Sequence, residues 1–129
     1  MQKQHEVRVI VVDDMLAEAE MLSLALEMQG YTVRTASSGG EALEMIDEFA
    51  PRCVLLDITM SGLGGHELSR RLRKRYGKEI MLVAVSDMGR ADERASATFV
   101  PFDHYFSRPL EPTLLRKLLP PAEGRERKA

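Results

Sequence analysis

Val7-Arg8-Val9-Ile10-Val11-Val12 runs straight into Asp13-Asp14. All but Arg8 are β-branched and apolar, which is how a strand buried on both faces reads. The run stops on two acids. The same figure returns downstream: Cys53-Val54-Leu55-Leu56 ends at Asp57, and Ile80-Met81-Leu82-Val83-Ala84-Val85 ends at Ser86-Asp87.

Segments of helical character separate these strands. Residues 15–29 carry Leu16, Met21, Leu22, Leu24, Ala25, Leu26 and Met28 among Glu18, Glu20 and Glu27, the spacing of a helix packed on a sheet, with Gly30 placed as its C-terminal cap. Tyr31 to Ala36 alternates and reads as a more exposed strand. Ser37-Ser38-Gly39-Gly40 starts a helix that continues from Glu41 to Phe49 and ends at Pro51. After Asp57 comes a glycine-rich loop, Ser61-Gly62-Leu63-Gly64-Gly65. Residues 66–76 form a helix with Leu68 and Leu72 inward and Arg70, Arg71, Arg73, Lys74 and Arg75 mostly outward, as a solvated face. Residues 91–99 read as a short helix. Tyr105-Phe106-Ser107 is a short strand before Arg108-Pro109, and Leu110 to Leu119 is a last helix stopped by Pro120-Pro121. Strand and helix alternate five times, which implies an α/β fold: a parallel sheet with helices on both faces.

The 129 residues suit one domain. The expected division is a flexible N-terminus at 1–6, a folded domain at 7–119 and a charged tail or linker remnant at 120–129. Lys plus Arg is 18 against Asp plus Glu 20, a balance that argues against direct binding of nucleic acid by bulk charge. The single cysteine, Cys53, excludes an internal disulfide and, in a buried strand, reads as inert. No apolar run approaches a membrane span and the first residues carry no signal-peptide stretch, so no membrane insertion and a cytoplasmic location are expected. The eight methionines read as core filler.

The chemistry lies at strand ends, where open parallel sheets bind ligands. If strands one, three, four and five are neighbours, Asp13, Asp14 and Asp57 meet Ser86 and Arg108 in one pocket. Clustered carboxylates repel, so either a proton is taken up or a cation binds. Hard oxygen ligands with room for water favour Mg²⁺ or Mn²⁺. Beside such an ion Asp57 is placed to act as a nucleophile on phosphorus, with Ser86 and Arg108 stabilising the other phosphoryl oxygens. Taken singly, each residue has a plainer reading: an acid pair at a strand end caps a turn or helix, a lone serine is a turn hydroxyl, and Tyr105 is a half-buried strand aromatic. Gly62, Gly64 and Gly65 do not make a dinucleotide fingerprint, and Ser37 to Gly40 lacks the lysine of a phosphate-binding loop.

Five landmarks in order carry a resemblance: Val-Asp-Asp at 12–14, Leu-Leu-Asp-Ile-Thr-Met at 55–60, Gly65, Ser86, and Tyr-Phe-Ser-Arg-Pro at 105–109. Over residues 7–119 the chain resembles the receiver domain of two-component response regulators. The resemblance implies a flavodoxin-like sheet in order 2-1-3-4-5. It implies Asp57 as phosphoacceptor, Asp14 and Asp13 as metal carboxylates and the Thr59 backbone carbonyl as a third protein ligand alongside Asp57. It implies Ser86 as switch hydroxyl and Tyr105 as the aromatic that turns inward when that hydroxyl is recruited. It also implies a histidine kinase or phosphotransfer protein as donor, a downstream protein partner through the 87–112 face, and a domain that assists its own phosphorylation and dephosphorylation without being an enzyme. Arg108 stands where the family has lysine; its planar fork still pairs with phosphate but has a different reach. Asp87, Ser61 and Pro101-Phe102 also depart from the family pattern. Two other functions stay open: a degenerate receiver that binds partners without phosphorylation, and a hydrolase with an aspartyl-phosphate intermediate. The latter resembles a pattern with a second acid where this chain has Thr59. Phe99, Val100, Phe102 and Leu110 read either as a contact face or as core. Nothing past residue 119 reads as an output domain, so both a stand-alone receiver and one cut from a longer chain are expected forms.

Overall fold

The computed structural model describes residues 6–57, 65–86, 102–107 and 111–119. Five strands form one parallel sheet: β1 (Arg8–Val12), β2 (Thr32–Ala36), β3 (Cys53–Asp57), β4 (Met81–Ser86) and β5 (His104–Ser107). Their order is β2-β1-β3-β4-β5, as expected. The described helices are α1 (Leu16–Met28), α2 (Gly39–Phe49), α3 (Gly65–Tyr76) and α4 (Pro112–Leu115). A 3-10 turn, Gly77–Glu79, joins α3 to β4.

The pleat divides the central strands between two cores. Ile10, Val12, Val54, Leu56 and Leu82 face one way and pack with Ala42, Ile46 and Phe49 of α2 and Leu68 and Leu72 of α3. Val9, Val11, Cys53, Leu55 and Val83 face the other way, against Ala19 and Leu26 of α1 and Leu115 and Leu119. Every residue of β3 is buried, which explains its unbroken apolar run. On edge strand β2 only Ala36 is fully buried.

Local sequence sets the helix ends. Ser38 caps α2, its hydroxyl accepting from Glu41 N–H at 3.1 Å, while the Glu41 carboxylate accepts from Ser37 N–H at 2.7 Å. The serine-glycine cluster is therefore a helix start. At the end of α1, Tyr31 N–H donates to Leu26 O and Gly30 N–H to Glu27 O, with Gly30 at φ 103°. That pair of hydrogen bonds closes the helix and needs a residue that tolerates the left-handed region. Ala50 takes the equivalent conformation after α2 at φ 52°, where its Cβ is a cost.

Three expectations need correction. The last helix was expected over 110–119, but α4 spans Pro112–Leu115 only; Lys117, Leu118 and Leu119 continue it as turns bonded to Leu114 and Leu115. Only Ala19 and Leu26 of α1 are fully buried, with Leu22 half-buried against the same core, while Leu16, Met21, Leu24 and Met28 are exposed. Among the described methionines, Met45 and Met81 do pack against the cores, but Met15, Met21 and Met28 face solvent. Residues 1–5, the expected helix at 91–99, and the segment 120–129 lie outside the described residues.

Candidate phosphoacceptor and metal site

Parallel register brings the acids together. Val12 of β1 is level with Leu56 of β3, so the next residues, Asp13 and Asp57, emerge side by side at the carboxyl edge. Asp57 is the last residue of the central strand and is level with Val85 of β4. One carboxylate oxygen from each of Asp13, Asp14 and Asp57 lies within 4.8 Å of the others. Asp13 and Asp57 are 6% and 5% exposed, whereas Asp14 faces solvent. The cluster thus has two walls and one open side.

Backbone bonds hold this geometry. Asp13 N–H donates to Ala36 O at 3.0 Å, anchoring the end of β1 to β2. Asp13 Oδ1 accepts from Met15 N–H at 2.9 Å, a turn that opens α1. Asp13 therefore both starts the helix and faces its neighbours. The strand-end turn leaves Asp13 among the three acids.

Two carboxylates at this separation repel by about 3 kcal/mol at an effective dielectric near 20. Burying two of them without compensation is unfavourable. Three hard oxygen donors with one side open to water suit a small divalent cation such as Mg²⁺, which keeps several of its waters. The donor set fits such an ion. Its chemistry when bound would be to neutralise the acids and hold a phosphoryl oxygen.

The other expected residues fall out differently. Ser86 ends β4 and is level with Ser107 of β5, so the backbone carries it to the edge where Asp57 emerges; its side chain lies outside the described residues. Thr59, Arg108, Asp87, Ser61 and Pro101 also lie outside them. Tyr105 is half-buried in β5, level with Ala84, and its ring meets Phe102 edge-on at 5.3 Å and 71°. Phe102 packs against the α2–α3 core, so of its two readings the core one holds. Cys53 is fully buried, and burial, followed by the charge of Asp103, pushes its thiol far up, in keeping with an inert core residue.

Two features escaped the sequence reading. The exposed apolar side of α1 begins directly after Asp14; its signal was an excess of apolar residues all round the helix, more than one buried stripe can use. Arg73, expected to point outward, is only 16% exposed and pairs with Asp103 at 2.9 Å. No local signal in the chain links residues thirty positions apart.

Comparison with known proteins agrees with this geometry. The family model "Response regulator receiver domain" matches residues 9–120. The chain is 38% identical over 112 residues to the response regulator MprA of Mycobacterium ulcerans (strain Agy99), covering 85% of this chain and 48% of that protein. The chain thus spans about half the length of this relative. Among solved structures, a putative response regulator from Chloroflexus aurantiacus J-10-fl matches with TM-score 0.79 and 29% identity over 88% of this chain and 93% of that one. A CheY-like receiver domain protein from Methanospirillum hungatei JF-1 matches with TM-score 0.78 and 26% identity, covering 88% and 90%. The chain belongs to the response regulator receiver family of two-component signalling. It is a signalling domain with the flavodoxin-like receiver fold.

Proposed function

We propose that this domain receives a phosphoryl group on Asp57 in a Mg²⁺-dependent step and passes the change to a protein partner. The observation that carries the reading is the meeting of three carboxylates within 4.8 Å around the last residue of the central strand. A carboxylate oxygen of Asp57 forms the new P–O bond as the donor's P–N bond breaks, and the bonding pair leaves on the donor's imidazole. Asp13 and Asp14 would hold the cation together with Asp57 and the Thr59 carbonyl. Ser86 and Arg108 are proposed to meet the phosphoryl oxygens, and Tyr105 to follow Ser86 inward.

The donor is a phosphohistidine-bearing kinase or phosphotransfer protein, and α1 supports where it sits. Among the described residues, every exposed large apolar side chain belongs to 15–28: Met15, Leu16, Met21, Leu24 and Met28. Met21, Leu24 and Met28 fall at helical spacing as one stripe, with Met21 73% and Met28 77% exposed. Glu18, Glu20 and Glu27 are the charges of the helix, with no Lys or Arg among them. The surface fits a helical donor with an apolar row flanked by cations, and opposes a second copy of itself by like charge. Downstream contact is proposed through the 87–112 face.

The test is intact mass after incubation with a small phosphodonor and Mg²⁺. Wild type gains one phosphoryl group, while Asp57→Asn and chelator-treated wild type gain none. No gain in wild type, with Mg²⁺ binding intact, would replace this reading with a constitutive interaction module.

A further inference from the structure

Arg73 sits one turn from the end of α3 with its guanidinium turned toward the sheet. Nη1 donates to Gly77 O at 2.9 Å and Ile80 O at 3.1 Å, and Nη2 donates to Asp103 Oδ2 at 2.9 Å. The same Oδ2 accepts from Leu82 N–H at 2.8 Å, and Asp103 N–H donates to Leu82 O at 2.8 Å. One ion pair therefore fastens four things: the end of α3, the turn after it, the start of β4 and the residue that leads into β5. The side chains are 16% and 27% exposed, so the contact is charge-assisted and partly shielded from solvent on its arginine side.

Its position gives it leverage. Phe102 immediately precedes Asp103, and Tyr105 follows two residues later, and these two rings touch. β5 is an edge strand of four residues paired to β4 alone. Such a short edge is weakly held by its ladder, so an anchor at its entry sets where both rings lie. We propose that Arg73 and Asp103 are positioning residues that act through Tyr105: together they form a latch that holds the entry of β5 and thereby biases the two ring positions of the switch aromatic. The latch rests on the reading of Tyr105 as that aromatic. A broken latch frees the strand entry and shifts the balance between ring positions.

The experiment labels the three tyrosines with fluorotyrosine in the whole chain and follows them by fluorine NMR, with Tyr105→Phe to assign the signal. Arg73→Met and Asp103→Ala are expected to shift or split the Tyr105 resonance and leave Tyr31, in the opposite core, unmoved. Arg73→Lys, which keeps the charge, and Asp103→Asn, which keeps an acceptor for Leu82 N–H, are expected to show the smaller change. In parallel, the lifetime of the phosphoryl group on Asp57 is expected to change by about threefold in Arg73→Met. An unmoved Tyr105 resonance in Arg73→Met and Asp103→Ala would overturn the latch. So would a Tyr31 signal that moves with it, which would make the pair a general prop, or a moved Tyr105 with an unchanged lifetime. If wild type takes up no phosphoryl group, the phosphoacceptor reading fails, while the fluorine spectrum still decides whether the pair positions Tyr105.

Discussion

Helices α1 and α3 lie in opposite layers and make opposite use of their outer faces. α3 buries Leu68 and Leu72 completely and shows solvent Arg70, Arg71, Lys74 and Arg75. Two of those cations are already engaged, Arg71 with Glu67 at 3.1 Å and Arg75 with Asp47 at 2.6 Å. α1 fully buries only Ala19 and Leu26 and shows solvent a stripe of large apolar side chains. Water solvates the first surface without penalty, whereas the second stays exposed at a cost that burial would remove. On the proposed reading, the helix that begins at the acid site is the one the phosphodonor covers.

The contrast is broken most strongly from inside. Leu72→Ala removes a fully buried side chain of α3 and is expected to cost about 2–5 kcal/mol by urea unfolding. Leu24→Ala on α1 is expected to change stability by less than about 0.5 kcal/mol in the same assay. An equal loss at both sites would show that α1 packs as tightly as α3. The function runs the other way. Met21→Ala and Leu24→Ala are each expected to slow phosphoryl transfer from a protein donor by about fivefold or more. Uptake from a small phosphodonor stays at the wild-type rate. Parallel losses with both donors would locate the defect in the acid site and not in docking.

Smaller effects sharpen the picture around each layer. Ala50→Gly relieves a left-handed alanine at the end of α2 and is expected to raise stability by about 0.5–1 kcal/mol. An unchanged unfolding midpoint would mean the strain is absorbed elsewhere. The smallest effect is a pH dependence at the α3–β5 junction. Burial works to raise the Asp103 carboxyl, but the Leu82 N–H, the Arg73 hydrogen bond and charge, and the Lys78 charge outweigh it and hold the group below the usual carboxylate range. A depressed folded value means the contribution is present above the ordinary carboxylate pKa and is lost as pH falls through the lower one. Cys53, which feels the Asp103 charge, is pushed up by its burial and stays neutral throughout this window. Asp103→Asn is expected to flatten the acid limb of stability below about pH 4. An unchanged limb would assign the acid loss to other carboxylates.

Much of the fold was legible in the chain, and for definite reasons. β1, β3 and β4 are buried on both faces, so nearly every residue had to be apolar and the runs stood out. The capping serine of α2 and the glycine after α1 act through bonds to residues three to five positions away, so they too were readable locally. The acids at 13, 14 and 57 were legible because each ends such a run. The extent of the last helix was not. Its short α-helical turn gives way to turns at residues 116–119, a choice that apolar spacing alone does not make.

The sequence by itself determined the alternation of strand and helix, the burial of the central strands and the placing of acids at their carboxyl ends. Each follows from side-chain type and near-neighbour hydrogen bonding. Only the tertiary structure decided three further matters. It brought Asp13, Asp14 and Asp57 within 4.8 Å, because that depends on the register of β1 against β3. It decided which apolar residues of α1 are left outside, because a sheet can cover only one side of a helix. And it turned Arg73 inward to Asp103, because a guanidinium goes where three acceptors converge, and those acceptors come from segments that only folding brings together.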